Sequence, residues 1–297
     1  MLHRKFLLHP SPPDSRDFIH VPQQHLQAFP MPPMPPMPPM PPMPPLPPFP
    51  PMPHPPVNPT PSPNPPPTPP PTPNPSSNII DLKPVMPPVL DQGEIGSCAA
   101  NSISNVLRYL LAKEKHEVFQ PSRLYLYWYT RVKIEGKLPT EDNGVCIRDV
   151  GKAISRYYVC DENVWIYDTK KYSVEPSGSA VQNALLNTQI KYEAVPQDLN
   201  IIKATLREGY PIVIGLQIYQ SFMNSTKGII PMPDIHNERL LGGHALTICT
   251  ADDNTKRFTC LNSWGTNFGD HGYLYIPYDY VLNPSLGFDF WVFTYFD

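Results

Sequence analysis

Residues 91–111 read DQGEIGSCAANSISNVLRYLL and join a glycine-punctuated turn to the start of a helix. Apolar side chains then recur at the spacing of one helix face, at Ile103, Val106, Leu107, Leu110 and Leu111. Cys98 falls in the first turn of this predicted helix, where the positive helix end stabilises a thiolate and lowers the thiol pKa. Cys98 is therefore a candidate nucleophile, and a small inert residue packed at a helix start is the alternative.

Two later stretches supply partners for this thiol. Residues 241–248 read LGGHALTI, and residues 261–269 read LNSWGTNFG. A catalytic thiol needs a base, and the base needs a group that orients it. Cys98, His244 and Asn262 fit these three roles, and Gln92 is available as a donor to the oxyanion.

Three blocks of sequence resemble the papain-like cysteine peptidases. They are Gln-Gly-x-x-Gly-Ser-Cys at 92–98, Gly-His-Ala at 243–245, and Asn-Ser-Trp-Gly-x-x-x-Gly-x-x-Gly-Tyr at 262–273. The resemblance covers residues 79–297. It implies an α+β fold of two lobes, a helical lobe and a β-barrel-like lobe, with the active site in the cleft between them. Helical patterns come first in this region and strand patterns later, which agrees with that order.

The resemblance also implies the chemistry. A cysteine-type endopeptidase of the EC 3.4.22 type would act on peptides or proteins through a Cys98 thioester, with His244 as general acid and base. No cofactor and no metal are expected. Gly144 would lie beside the substrate backbone, although a plain turn glycine is an equal alternative. Gly243 and Trp264 are further candidates at the substrate site; Trp264 would shield the bond between histidine and asparagine, or simply pack in the core.

Proline divides the chain. Of its 45 prolines, 33 precede Ser77, which predicts a short N-terminal segment (1–29), a proline-rich tract (30–77) and one peptidase domain (78–297). The net charge of −3 and the absence of a basic cluster give no support to nucleic-acid binding. No apolar run reaches the length of a membrane-spanning helix, and residues 1–10 do not read as a signal peptide.

The proline-rich tract allows three interpretations. Its Met-Pro-Pro repeat has the three-residue period of polyproline II, which favours a stiff or disordered spacer. Residues 30–75 could also dock on a proline-recognition partner. The third interpretation makes the N-terminal part of the chain an inhibitory pro-segment, for which only residues 14–18 offer a short ordered contact. Dense proline forbids the helical pro-domain usual in the resembled family.

The five cysteines do not decide whether the protein resides in an oxidising or a reducing compartment, although a reducing, intracellular compartment is favoured. Cys249 and Cys260 flank a turn between two predicted strands and could face each other, but free buried thiols are favoured. Ile95 stands where the resembled family has a disulfide cysteine, which agrees with that expectation. No Cys/His spacing suggests zinc. The rival function is a non-catalytic interaction protein, in which a peptidase-like domain carries a proline-rich docking tract.

Overall fold

The computed structural model describes residues 4–23, 78–114, 116–185 and 190–295. The predictions for residues 30–75 lie outside these ranges and stay predictions. Within the described residues the chain forms seven α-helices and seven β-strands. The helices are α1 (Cys98–Lys113), α2 (Arg123–Tyr129), α3 (Ile147–Tyr157), α4 (Gly178–Ala184), α5 (Leu199–Arg207), α6 (Gln220–Met223) and α7 (Tyr278–Leu282). A π-helical turn (Thr130–Ile134) extends α2, and 3-10 turns lie at Lys83–Val85 and Thr169–Lys171.

The strands form one antiparallel sheet in the order β2-β7-β3-β4-β5-β6, and β1 adds to the far end of β4. The strands are β1 (Ile79–Asp81), β2 (Ile190–Ala194), β3 (Ile212–Tyr219), β4 (Leu240–Asp252), β5 (Arg257–Leu261), β6 (Tyr273–Pro277) and β7 (Gly287–Tyr295). The central strand β4 pairs along its first half with β3 and along its second half with β5. A residue at its middle therefore lies deep in the sheet.

The predicted helix at Cys98 is present, and its apolar face is buried as its spacing requires. Helix α5 begins after Asp198, whose side chain accepts hydrogen bonds from the backbone N–H groups of Asn200 and Ile201. Gly209, at φ +81°, follows the end of this helix in the left-handed conformation that only glycine adopts without strain. Local chemistry thus sets both ends of α5.

Two apolar cores confirm the expected two-lobed α+β arrangement. One core fills the β lobe, where strands β3 to β6 pack against α5 to α7 around residues such as Ile214, Leu246 and Phe258. The other lies between α1, α2 and α3 and the near face of the sheet, around residues such as Leu110, Val150 and Phe293. The N-terminus of α1 and the middle of β4 meet at the boundary of the two cores.

All five cysteines are buried and free, so Cys249 and Cys260 pack without a disulfide, as favoured from the sequence. Among the described residues, none of the helices has both the length and the apolarity needed to cross a bilayer. Residues 4–23 form almost no regular structure of their own, yet they lie against the domain along most of their length. Isolated β-bridges join Leu7 and Leu8 to Gly243, and Ile19 to Ala194.

Candidate active site

Cys98 is the first residue of α1 and is fully buried. Its thiol lies beside β4, because the backbone N–H of Ala245 is one of the groups that can hydrogen-bond its sulfur. The Ser102 hydroxyl, one turn along α1, donates to the carbonyl oxygen of the same Ala245 at 3.3 Å. The helix therefore presents its N-terminal cysteine to the strand position directly after His244.

His244 lies in the middle of β4 and is also fully buried. Its Nε2 lies 2.8 Å from Oδ1 of Asn262, the residue that follows β5. A carbonyl oxygen only accepts hydrogen bonds, so Nε2–H of His244 is the donor and a neutral ring has an unprotonated Nδ1. That Nδ1 is buried and has no hydrogen-bond partner among the described residues. The structure thus leaves a free basic nitrogen on the strand that borders the Cys98 thiol.

Trp264 covers this pair. Its indole stacks on the His244 ring, with ring centroids 4.5 Å apart and the planes 30° from parallel. Phe222 and Phe268 meet the other faces and edges of the indole. The indole also belongs to the core of the β lobe, as the packing interpretation expects. Its stack on His244 is compatible with the proposed shielding of the His244–Asn262 hydrogen bond, which stays a prediction.

Gln92 lies just before Cys98 in the glycine-rich turn and is fully buried. The Ser263 hydroxyl donates to Gln92 Oε1 at 2.8 Å, which orients the amide. Gln92 Nε2 donates one hydrogen to the carbonyl oxygen of Ile95 at 3.1 Å, and an amide nitrogen carries two. The second N–H is available to an oxyanion, as the sequence interpretation requires.

Tyr167 supports the turn that carries Gln92, and no pattern in the sequence indicated this role. Its hydroxyl lies 2.6 Å from the Ser97 hydroxyl and donates to the Gln92 carbonyl oxygen at 2.8 Å. The guanidinium of Arg123 lies 3.7 Å from the centre of its ring. This network holds the backbone of the turn that precedes the nucleophile.

The N-terminal segment, defined as residues 4–23, crosses the cleft over this site. The Leu8 backbone N–H donates to the carbonyl oxygen of Gly243 at 3.2 Å. A Cβ at Gly243 would fall 2.1 Å from the Leu8 carbonyl oxygen, and one at Gly144 would fall 2.1 Å from that of Leu7. Gly144 and Gly243 are therefore glycines because a peptide backbone passes directly over them.

Ring and charge contacts hold the first residues of the segment. The Phe6 ring meets the His244 and Trp264 rings edge-on, at 6.3 and 5.7 Å between centroids. Arg4 forms an ion pair with Asp91 and also donates to the carbonyl oxygen of Trp264 at 3.2 Å. The segment thus packs Phe6 against His244 and Trp264, and His244 is fully buried in the complete chain.

Further anchors follow along the segment. Ser11 donates through both its backbone N–H and its hydroxyl to Asp289 at 2.8 Å. Asp17 pairs with Arg148 at 3.2 Å, and the Arg148 side chain is only 4% exposed. His20 lies 3.1 Å from the Glu193 carboxylate. The segment is therefore tied down well beyond the cleft, on α3 and on the edge strand β2.

Burial changes the protonation expected from the sequence. The helix N-terminus was expected to lower the Cys98 pKa, but burial raises it to about 11, against the lowering effect of nearby backbone N–H groups. Burial also lowers the pKa of His244 to about 4, against the raising effect of Asn262. With the segment in place, both groups are neutral at neutral pH. The helix-terminus prediction was wrong for this closed arrangement, because desolvation outweighs the N–H groups.

The family model for papain family cysteine proteases matches residues 77–282. The chain belongs to this family. It is a cysteine protease that hydrolyses peptide bonds in peptides or proteins, as the resemblance read from the three blocks implied.

Similar proteins agree with this assignment. The chain is 38% identical over 231 residues to an uncharacterised peptidase C1-like protein of Acanthamoeba polyphaga mimivirus, covering 72% of this chain and 73% of that protein. It is similar to xylellain, a cysteine protease from Xylella fastidiosa, with 30% identity, a TM-score of 0.76 and coverage of 100% and 98% of the two chains. Digestive procathepsin L 3 of Tenebrio molitor shares the fold at 17% identity, with a TM-score of 0.60 and 74% and 71% coverage.

Sequence reasoning grouped Cys98, His244, Asn262 and Gln92. In the structure Cys98 lies beside the residue after His244, His244 hydrogen-bonds to Asn262, and Gln92 is hydrogen-bonded to Ser263, the residue after Asn262. Sequence reasoning missed the residues of the N-terminal segment that cover this site. The charged residues clustered at 14–17, ahead of a long stretch without charge, were the only signal that this part makes ordered contacts. No periodicity could have indicated its path across the cleft.

Proposed function

We propose that this papain-family protease is a latent endopeptidase whose reaction is carried out by Cys98, His244, Asn262 and Gln92. One observation carries the proposal. His244 donates from Nε2 to Asn262, and its buried Nδ1 has no partner among the described residues while a free thiol lies beside the next residue of the same strand. A base oriented in this way is ready to take the thiol proton.

The reaction then follows from the positions of the groups. His244 Nδ1 takes the proton of Cys98, and the sulfur attacks the carbonyl carbon of the scissile peptide bond. The Gln92 side chain and the Cys98 backbone N–H donate to the oxyanion that forms. The imidazolium returns its proton to the leaving amine, which departs and leaves a thioester. Water, deprotonated by His244, hydrolyses the thioester and regenerates the thiol.

The length of the cleft supports cleavage within chains rather than at their ends. Residues 4–11 of the N-terminal segment run through it in extended form, from Arg4 at Asp91 to Ser11 at Asp289. Peptide backbone is thus accommodated on both sides of the nucleophile. Gly144 and Gly243, which the segment crosses, are the glycines that we propose a substrate backbone contacts in its place.

The segment itself supports latency. We assign residues 1–29 to a pro-segment that occupies the substrate cleft, residues 30–77 to the connection, and residues 78–297 to the peptidase domain. A peptide that lies on Gly243 and packs Phe6 on His244 excludes a substrate from both. It also keeps Cys98 and His244 neutral, whereas papain-type catalysis uses the charged pair.

Hydrolysis of internally quenched peptides by the full chain tests the catalytic assignment. We expect turnover that vanishes in Cys98→Ala and persists in the matched Cys160→Ala, which removes a buried thiol from a separate apolar cluster around Tyr125 and Trp128. Turnover that survives Cys98→Ala would refute the nucleophile. If the wild-type chain is inactive even after its first 23 residues are removed, and a thiol-reactive epoxide fails to label Cys98, the non-catalytic interaction protein becomes the better account.

A further inference from the structure

Three metal-ligating side chains from separate parts of the chain meet where the N-terminal segment leaves the cleft. They are His9 of the segment, Glu135 directly after the π-helical turn, and Cys146 directly before α3. One ligand atom from each lies within 4.8 Å of the other two. Cys146 Sγ is 2.9 Å from His9 Nδ1, and a Glu135 carboxylate oxygen is 4.0 Å from His9 Nε2. None of the three has a role in the proposed reaction.

The Glu135 carboxylate is positioned to bind a cation. Its Oε1 accepts the backbone N–H of Cys146 at 2.9 Å, which fixes the carboxylate beside the thiol. Its Oε2 is buried and makes no aligned hydrogen bond among the described residues, although the Lys137 ammonium lies 2.6 Å away. An ionised carboxylate this buried, at 7% exposure of its side chain, needs a positive charge beside it.

The surroundings add negative charge. The carboxylates of Asp149 and Asp289, with that of Glu135, act on the Cys146 sulfur, and Lys137 offsets them in part. The ammonium of Lys137 lies 3.1 Å from His9 Nε2 and donates to the Gly144 carbonyl oxygen at 3.0 Å. A positive charge thus already lies between Glu135 and His9, and it is carried by a long side chain that can rotate away.

We propose that His9, Glu135 and Cys146 form a binding site for a divalent transition metal of the zinc class, which fastens the N-terminal segment over the cleft. Zinc takes a thiolate sulfur, an imidazole nitrogen and a carboxylate oxygen, and water can complete its four ligands. On binding, the Cys146 thiol releases its proton to solvent and Lys137 leaves the site. The sequence indicated no zinc site, because the three proposed ligands lack the spacing of a zinc motif. Folding of the chain brings residue 9 next to residue 146.

The metal would strengthen latency by mass action. A site with one ligand on the segment and two on the domain exists only while the segment is docked. Binding therefore stabilises the closed state in proportion to the logarithm of metal concentration over dissociation constant. This consequence rests on the proposed inhibitory role of the segment, whereas the metal site itself does not.

Cobalt(II) titration of the full-length chain tests the site directly. The Cys98→Ala background removes the catalytic thiol as a competing ligand. We expect one equivalent of cobalt to produce a thiolate-to-cobalt charge-transfer absorption band, which Cys146→Ala abolishes. In His9→Ala, cobalt affinity should fall about tenfold or more. The matched variant Cys160→Ala should keep the band. Absence of the band in the Cys98→Ala chain, or a band unchanged by Cys146→Ala, would overturn the proposal.

Lys137→Met distinguishes a metal-binding site from a cluster whose role is only structural. This variant removes the competing ammonium while keeping a side chain of similar length. Cobalt should bind more tightly to it than to the Lys137 chain, in the same Cys98→Ala background. Equal or weaker binding would show that the ammonium and the metal do not share a position, and would overturn the assigned geometry.

Limited trypsin cleavage tests whether the metal holds the N-terminal segment on the domain. In the Cys98→Ala background of the full-length chain, saturating zinc(II) should slow cleavage after Arg16. It should have no such effect when His9→Ala is added. This matched variant also controls for a direct effect of zinc on trypsin. A cobalt band without this protection would overturn the fastening role. Neither measurement depends on peptidase turnover, so failure of the proposed catalytic function would be seen separately.

Discussion

The backbone N–H of Leu8 donates to the carbonyl oxygen of Gly243 at 3.2 Å, and Gly243 directly precedes His244. The N-terminal segment is thereby hydrogen-bonded to the strand that carries the candidate base. A substrate that aligns its backbone on the same glycine must first displace Leu8. Under the proposed function, substrate and segment compete for this one carbonyl group, so weaker attachment of the segment is expected to raise activity.

The ion pair between Asp17 and Arg148 is the anchor to weaken first. Asp17→Asn removes the charge that faces a guanidinium only 4% exposed, and hydrogen bonds to charged groups contribute about 1.5–3 kcal/mol. If the segment is inhibitory, the initial rate of peptide hydrolysis by the full chain should rise about 10- to 100-fold. The measurement is the initial rate on a fluorogenic peptide at neutral pH.

Arg16→Ala is the matched control for this variant. Arg16 is 83% exposed and pairs only with Asp14 of its own segment among the described ion pairs. Its rate should stay close to that of the wild-type chain. Equal rates for Asp17→Asn and wild type, with the chain folded, would remove the inhibitory role from the segment.

Gln92 is expected to act on the transition state rather than on substrate binding. Gln92→Ala removes one oxyanion donor and should lower kcat by about 10²–10³ with little change in KM. Ser263→Ala leaves the amide in place but frees its orientation, so we expect a smaller fall in kcat. The unfolding temperature of each variant separates this effect from loss of structure. An unchanged kcat in Gln92→Ala would exclude the role.

The closed state should be most stable between about pH 6.5 and 9. Burial in the closed chain lowers the His244 pKa from 6.5 to about 4. If the segment supplies that burial, its docking is favoured above pH 6.5, and this contribution is lost as the pH falls to 4. Burial in the closed chain raises the Cys98 pKa from 9.0 to about 11. If the segment supplies that burial, this contribution to docking is present below pH 9 and is lost as the pH rises to 11. Deuterium exchange of residues 4–13, corrected for the intrinsic rate at each pH, measures the closed fraction.

Single variants separate the two limbs of this pH profile. Cys98→Ala should remove the loss of protection above pH 9 and leave the acid limb. His244→Asn should remove the part of the acid limb that lies between pH 6.5 and 4, leaving the release caused by protonated carboxylates such as Asp91 below it. A profile that neither variant alters would mean that the dyad is not coupled to docking.

Removal of the segment should restore the thiolate expected from the helix position. In a chain that begins after residue 23, solvent returns to Cys98 and the helix N-terminus again favours its charged form. The pH of half-maximal alkylation by iodoacetamide, followed at Cys98 by mass spectrometry, should fall below 9. The full-length chain should alkylate only at more alkaline pH. Identical profiles would show that the domain alone buries the thiol.

Elements with strong local signals were predicted well. The predicted helix at Cys98 is present at Cys98–Lys113, because apolar spacing acts within a few residues. Strand β2 was missed. Only Ile190 is buried among its five residues, so it shows no alternation, and pairing with β7 makes it a strand.

The sequence alone determined the family and the four residues of the candidate site, because a thiol at a helix start and its His, Asn and Gln partners lie in short blocks of distinctive residue types. Only the tertiary structure decided the path of residues 4–23, since Leu8 finds its partner at Gly243 and His9 finds its partner at Cys146. The tertiary structure also decided the protonation of Cys98 and His244. Their pKa values depend on the extent to which the surrounding atoms exclude water. That packing involves residues far apart in the chain, so local sequence patterns do not indicate it.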